Sequence, residues 1–330
     1  MQPKGEYRTF HRQPIGKRTY NIIITMKKIK YIAVAAFLMM LAACGSTSTV
    51  PLTGRSHRIS VSDEQILSLS TQQYQEYMQK ATKSTNTKNT QMVERVGRKL
   101  ATAVENYLKN NGYADDVKNY NWEFNLVQSN EANAFCMPGG KIVVYEGLLP
   151  YTQNEASLAV VLGHEIAHAV AKHSAEQLTK QQNQSVATSV LGTVLNSTVG
   201  SGVGDVASKV ASTGFSLMNL KYSRTDESEA DYMGLIFAAM AGYDPSYAVS
   251  FWQRMAQSTS SSSTSEWLSD HPSDEKRIAN IQKWMPEAQK YYEATKPATT
   301  TKATTTTKKA STTKKKTTTT KKTTTTKKKR

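Results

Sequence analysis

The stretch LGHEIAHAVAKH, residues 162–173, sets three histidines and one glutamate into an otherwise apolar run. On an α-helix His164 and His168 stand one turn apart, separated by about 40° and about 6 Å, so both imidazoles project from one face. Two ring nitrogens so placed can reach one metal ion. Glu165 lies about 100° from His164, within reach of a water on that ion without ligating it. The H-E-x-x-H spacing suits a zinc-dependent hydrolase, with the ion as Lewis acid and Glu165 as base for the water. The plainer reading is a pair of helix histidines with no ligand. It is weakened by the setting, because Leu158, Val160, Val161, Leu162, Ile166 and Val170 make the helix apolar on most sides, and buried unpaired His and Glu are costly. His173 falls about 180° round a continuous helix from His164 and is expected as a surface or capping residue. Ala171 and Ser174 occupy the positions where a longer signature would carry Gly and a third His. The third ligand must come from elsewhere.

SRTDESEAD, residues 223–231, offers it. Zinc needs one more donor and, for catalysis, a position left open. Glu227 and Asp231 are again one helical turn apart, which lets Glu227 bind the ion while Asp231 accepts from the far nitrogen of a ligand histidine. Glu229 is a rival ligand that periodicity does not exclude. Four acids at a helix N-terminus also have a simpler account, interaction with the helix dipole.

These residues need a scaffold. Apolar positions recurring at three and four predict helices over roughly 63–82 and 90–110. The period then changes to two in NWEFNLVQS (121–129), and KIVVY (141–145) follows the Gly139-Gly140 turn as a second strand. Helices are predicted again over 154–180, 223–241, 245–257 and 273–294. The expected fold is α+β, a mostly helical domain over 62–295 with a small β-sheet, long enough for a real core. Residues 185–220, rich in Gly, Ser, Thr and Val, read as a mobile hairpin and candidate gate.

The chain carries 42 Lys and Arg against 26 Asp and Glu, but the excess sits at the ends. Residues 44–295 hold 21 basic and 25 acidic groups. A nucleic-acid groove is therefore excluded from the folded part. Residues 1–43 read as a signal peptide, with Met26 as the expected start and an apolar run ending in Leu41-Ala42-Ala43-Cys44 that resembles a bacterial lipobox. Cys44 is the expected lipidation site, followed by a Ser/Thr/Pro tether to residue 61. With Cys44 acylated, Cys136 alone remains and no disulfide forms within the chain. The Thr/Lys tail, 296–330, has 13 basic groups and no acid, and is expected to be disordered.

Taken together, NAFCMPGGKIVVYEGLL, GHEIAHAVAKH, SRTDESEADYMGL and DHPSDEKRI resemble the HtpX and CAAX-prenyl-protease family of gluzincin peptidases, in its branch of soluble periplasmic lipoproteins. The resemblance implies a zincin-like fold with one zinc per chain. It assigns Glu227 as third ligand and Asp231 as the partner of a ligand histidine. It makes Asn133, Ala134 and Phe135 part of an edge strand that binds extended substrate. His271 is implied to approach the zinc and restrain activity, and Arg277 to bind an acid or the oxyanion. The implied partners are polypeptides, unfolded or misassembled envelope proteins, met from a lipid anchor in the outer membrane. A non-proteolytic envelope chaperone using the same cleft stands as the alternative.

Overall fold

The computed structural model describes residues 26–31, 46–195, 216–218, 220–259, 271 and 276–297. Cys44, most of the expected signal peptide, most of the 185–220 gate and the tail beyond Pro297 lie outside the described residues. Among the described residues no helix is long and apolar enough to cross a membrane.

Helix α1 (Asp63–Lys80) starts at Ser62, whose hydroxyl accepts from the Gln65 amide while the Gln65 side chain accepts from the Ser62 amide. This reciprocal pairing satisfies two amides that the first turn leaves open. Helix α2 (Thr87–Asn110) buries Val93, Val96, Leu100, Val104 and Leu108, the stripe predicted from their spacing. After the short α3 (Ala114–Val117) come β3 (Glu123–Val127), β4 (Ala134–Met137) and β5 (Lys141–Tyr145). They form one sheet in the order β3-β5-β4, with β3 parallel and β4 antiparallel to β5. Among the described residues β4 has no strand on its other side. Its alternation divides two cores: Ala134 and Cys136 join the main one, while Met137 and the partly buried Phe135 pack in a smaller one with Tyr74, Val127 and Val143.

The short α4 (Leu149–Thr152) leads into α5 (Glu155–Val170), capped by Asn154 and buried at every residue from Ser157 to Val170. A helix apolar on all sides has to be surrounded, and α5 is the central rod of the fold. The single helix expected over 154–180 is broken. Ala171 closes α5, Lys172 takes a left-handed φ of 56°, and α6 (His173–Leu195) sets off in a new direction. Neither Gly nor Pro marks the break in sequence. Long-range ion pairs hold it instead, with Lys172 Nζ 3.0 Å from Asp63 and 3.1 Å from Asp116.

Helix α7 (Arg224–Met240) is capped by Ser223 and Asp226 in another reciprocal pair. It crosses α5 at two glycines. A Cβ built on Gly163 would stand 2.6 Å from the Gly234 carbonyl oxygen, and one on Gly234 would stand 2.5 Å from the His164 nitrogen. Only glycine permits so close a crossing, and it brings the acids of α7 against the histidines of α5. Helices α8 (Tyr247–Thr259) and α9 (Arg277–Thr295) complete the main core. Ahead of α1, the expected tether is folded from Ser46 onward. Strands β1 (Ser46–Thr49) and β2 (Ser56–Ile59) form an antiparallel hairpin that buries Val50, His57 and Ile59.

Candidate metal centre

Where α5 and α7 cross, His164, His168, Glu227 and His271 each present one ligand atom, all within 4.8 Å of one another and all buried. The two α5 nitrogens, His164 Nε2 and His168 Nε2, are 3.1 Å apart. His271 Nδ1 stands 3.2 Å from His164 Nε2 and 3.0 Å from Glu227 Oε1, which is itself 3.4 Å from His168 Nε2. Tetrahedral zinc with bonds of about 2.0–2.1 Å separates its ligands by about 3.3 Å. The observed spacings match those edges, so the donor set is the right size and chemistry for one zinc ion.

The surroundings orient the donors. Asp231 Oδ1 lies 2.9 Å from His164 Nδ1, and a carboxylate there draws the proton to Nδ1 and leaves Nε2 as a lone pair aimed at the cluster. The expected partnership of Asp231 with a ligand histidine is thus present in the geometry. Arg277, first residue of α9, donates from Nε to Asp231 at 2.6 Å and from Nη2 to Glu227 at 2.8 Å, with its guanidinium 3.9 Å from the Trp252 ring. One planar fork holds both acids in place. Burial works against the charged form of Glu227, but His271 and His168 outweigh it and hold the carboxyl far below the usual range. Burial also pushes His168 well below its ordinary value against the pull of Glu227, which favours the neutral, ligating imidazole. In His271 the same burial is outweighed by Glu165 and Glu227, and the ring is raised.

Glu165 is buried beside the cluster without adding a donor to it. Its Oε1 is 3.7 Å from His271 Nε2. Glu229, the rival ligand, stands outside. It accepts from Thr53, Arg55 and His173 at 2.5, 2.7 and 3.0 Å. Burial raises its carboxyl, and these bonds more than compensate, holding it low.

His173 is the clearest correction. It is not a surface or capping residue but fully buried, with Nδ1 2.9 Å from His168 Nδ1. The continuous-helix geometry that turned it away fails at Lys172. Tyr222 was likewise unforeseen; its ring stacks on His168 at 4.0 Å and its hydroxyl meets Ser174 at 2.9 Å. Gly163 and Gly234 could have been found, since two glycines inside helix patterns beside ligand motifs imply a close crossing. The pairing of Arg55 with Glu229 could not, because 174 residues separate them.

Of the three residues expected on the edge strand, Ala134 and Phe135 open β4 and Asn133 immediately precedes it, and all three stand apart from the donors. Asn133 Oδ1 accepts from the Ala134 amide at 2.8 Å, and the Phe135 ring packs edge-on against Tyr77. What they present is an edge of the sheet that has no partner strand among the described residues, while the inner face of β4 packs on α5. A cavity lined by Asp63, Ile66, Leu67, Pro138, Gly139 and Lys172 reaches His168, the one donor of the cluster among its lining residues.

Residues 87–285, more than half the chain, match the family described as Peptidase family M48. Mitochondrial metalloendopeptidase OMA1 of Schizosaccharomyces pombe is 36% identical over 169 residues, 51% of this chain and 48% of its own length. The same enzyme of Saccharomyces cerevisiae is 29% identical over 300 residues, 87% of this chain and 84% of its own. The β-barrel assembly-enhancing protease of Escherichia coli is 28% identical over 171 residues, 51% of this chain and 35% of its own. The chain thus spans about half the length of the fission-yeast relative and less of the bacterial one. The chain belongs to peptidase family M48, which bears out the metallopeptidase resemblance at the level of the family, whereas the branch of periplasmic lipoproteins is not distinguished by these similarities.

Proposed function

We propose that the chain is a zinc-dependent endopeptidase of the bacterial cell envelope that cleaves unfolded or misassembled proteins. The observation that carries the reading is a buried His164–His168–Glu227 donor set with a non-ligating carboxylate, Glu165, beside it. His164, His168 and Glu227 would hold one zinc ion, which would supply Lewis acidity to the scissile carbonyl and to the attacking water. Glu165 takes that water's proton and returns it to the leaving amine. Asp231 fixes the tautomer of His164, and Arg277 holds Asp231 and Glu227 against their mutual repulsion. The free edge of β4, at Asn133, Ala134 and Phe135, receives an extended chain as an added strand, a mode that selects unfolded polypeptide. His271 fills the fourth corner in the state described here, and it restrains activity by standing where substrate must enter.

The envelope location rests on the apolar run before Cys44, read as a lipoprotein signal with Cys44 as the anchor and the outer membrane as its destination. It also rests on similarity to a bacterial protease whose name assigns it to β-barrel assembly. The test is hydrolysis of an unfolded protein such as casein by the full chain, with and without a chelator, beside Glu165→Gln. We expect chelator-sensitive cleavage, and a fall of about 100- to 10,000-fold in the variant with its zinc retained. Wild-type turnover by Glu165→Gln would remove the base from the mechanism. Binding of casein with no cleavage would favour the chaperone instead.

A further inference from the structure

The two α5 histidines turn their Nε2 atoms toward the same donor cluster, yet they are oriented by different means. His164 meets a carboxylate directly through Asp231. His168 does not. Its Nδ1 points to His173 Nδ1 at 2.9 Å, and His173 Nε2 points to Glu229 Oε2 at 3.0 Å. An ionised carboxylate only accepts, so the bond to Glu229 puts the His173 proton on Nε2 and leaves Nδ1 a lone pair. The contact between the two Nδ1 atoms then needs the other proton on His168 Nδ1. That leaves His168 Nε2 as the lone pair facing Glu227 and His164. His173 is fully buried, so the chain of bonds is shielded from competing water.

The fold anchors this chain at three points. Lys172, left-handed and tied to Asp63 and Asp116, turns the start of α6 back toward the cluster. Tyr222 stacks on His168 and fixes its ring plane. Thr53 and Arg55, on the loop of the β1–β2 hairpin, hold Glu229, and Arg55 also binds Glu176 at 3.0 Å. That hairpin precedes residues 87–285, the span that matches the family. We propose that His173 is a positioning residue: it links Glu229 to His168 and fixes His168 as the tautomer whose Nε2 binds zinc, with the hairpin bracing the relay from outside the peptidase core.

This inference rests on His168 as a zinc ligand, and its test separates the two. Zinc affinity is measured by chelator competition on the full chain for wild type, His173→Leu and His173→Asn, together with the visible spectrum of the cobalt-substituted proteins. His173→Leu removes the acceptor for His168 and is expected to weaken zinc binding by about 10- to 100-fold and to alter the cobalt spectrum. His173→Asn sets an amide oxygen where Nδ1 was and is expected to recover most of both. Wild-type affinity and spectrum in His173→Leu, or equal damage in the two variants, would overturn the relay while leaving zinc at the site. A wild type that binds no zinc would overturn the peptidase reading along with it. Should either variant fail to fold, nitrogen-15 spectra of zinc-loaded wild type decide, because the relay requires His173 protonated on Nε2, and a proton on Nδ1 refutes it.

Discussion

Replacing Gly234 by alanine probes the feature that assembles the whole centre, the crossing of α5 and α7. A methyl at Gly234 would meet the His164 nitrogen at 2.5 Å, the Gly163 carbonyl carbon at 2.7 Å and the His164 Cα at 2.7 Å. All three are backbone atoms of a buried helix, so no side chain can rotate to make room. Ordinary van der Waals contact starts at about 3.5 Å, which means that the helices must separate by about 1 Å. Two effects oppose each other. Alanine gains about 1 kcal/mol of helix propensity over glycine, while overpacking against rigid neighbours costs up to about 3 kcal/mol. The clash wins by about 2 kcal/mol, and for a domain of this size that lowers Tm by about 4–8 °C. The chemical effect is larger. His164 and His168 ride on α5 and Glu227 on α7, so the same separation stretches the edges between their donors beyond what one ion can span, and a 1 Å misplacement can cost about 100-fold in rate. Thermal unfolding of zinc-free protein measures the first effect, and kcat/KM on an unfolded substrate the second. A Gly234→Ala variant as stable as wild type and as active would refute the view that the crossing sets the site.

His271→Ala empties the fourth corner and is expected to raise the rate of casein cleavage; a rate that falls to background would make His271 an essential participant instead. Arg277→Met leaves Glu227 and Asp231 buried without their guanidinium, so zinc-free protein should lose about 3–5 kcal/mol and recover part of it when zinc supplies positive charge; an unchanged Tm without zinc would contradict this. The hairpin brace predicts a pH dependence. Glu176 is held low by the His57 ring, whose Nδ1 is 3.6 Å away, and, against burial, by Arg55; in Glu229, burial is outweighed by His173, Thr53 and Arg55. Both folded-state values lie below the unfolded carboxylate value of about 4.3, so their stabilisation is complete above that pH and is lost as pH falls through the folded values. Arg55→Ala should therefore melt below wild type near pH 6 and converge with it in acid, whereas parallel melting curves from pH 6 to 3 would exclude the brace.

The sequence displays what is local and periodic. His164, Glu165 and His168 are legible because three ionisable groups in an apolar helix demand a common purpose, and α2 is legible because five buried residues repeat at three and four. Glu227 and Asp231 are legible as a pair one turn apart, although choosing Glu227 over Glu229 takes the fold, which turns Glu229 toward the hairpin. His173 was hidden by a break that no local residue announces. Lys172 adopts a conformation usual for glycine, and partners 56 and 109 residues away hold it there. The hairpin was hidden for the opposite reason. Its Ser, Thr and Pro content reads as a linker, while its few apolar groups, Val50 and Ile59, have too short a pattern to predict a strand pair.

A centre with four protein donors has the composition of a structural zinc site, whereas a catalytic one keeps a position open. Two observations favour a catalytic site in a shut state. Glu165 is buried beside the cluster yet adds nothing to the donor set, and a purely structural site would gain nothing from a fifth ionisable group so expensive to bury. His271 is also unlike the other histidines. Its Nδ1 faces Glu227 and its Nε2 faces Glu165, at 3.0 and 3.7 Å, so carboxylates lie on both sides of the ring. His164 and His168 each have one nitrogen secured behind and one aimed at the ion, as permanent ligands need. His271 thus stands between Glu227, a member of the donor cluster, and Glu165, the proposed base. On the function proposed above, catalysis would require that ring to leave, and Glu165 would act on an attacking water only after it had gone.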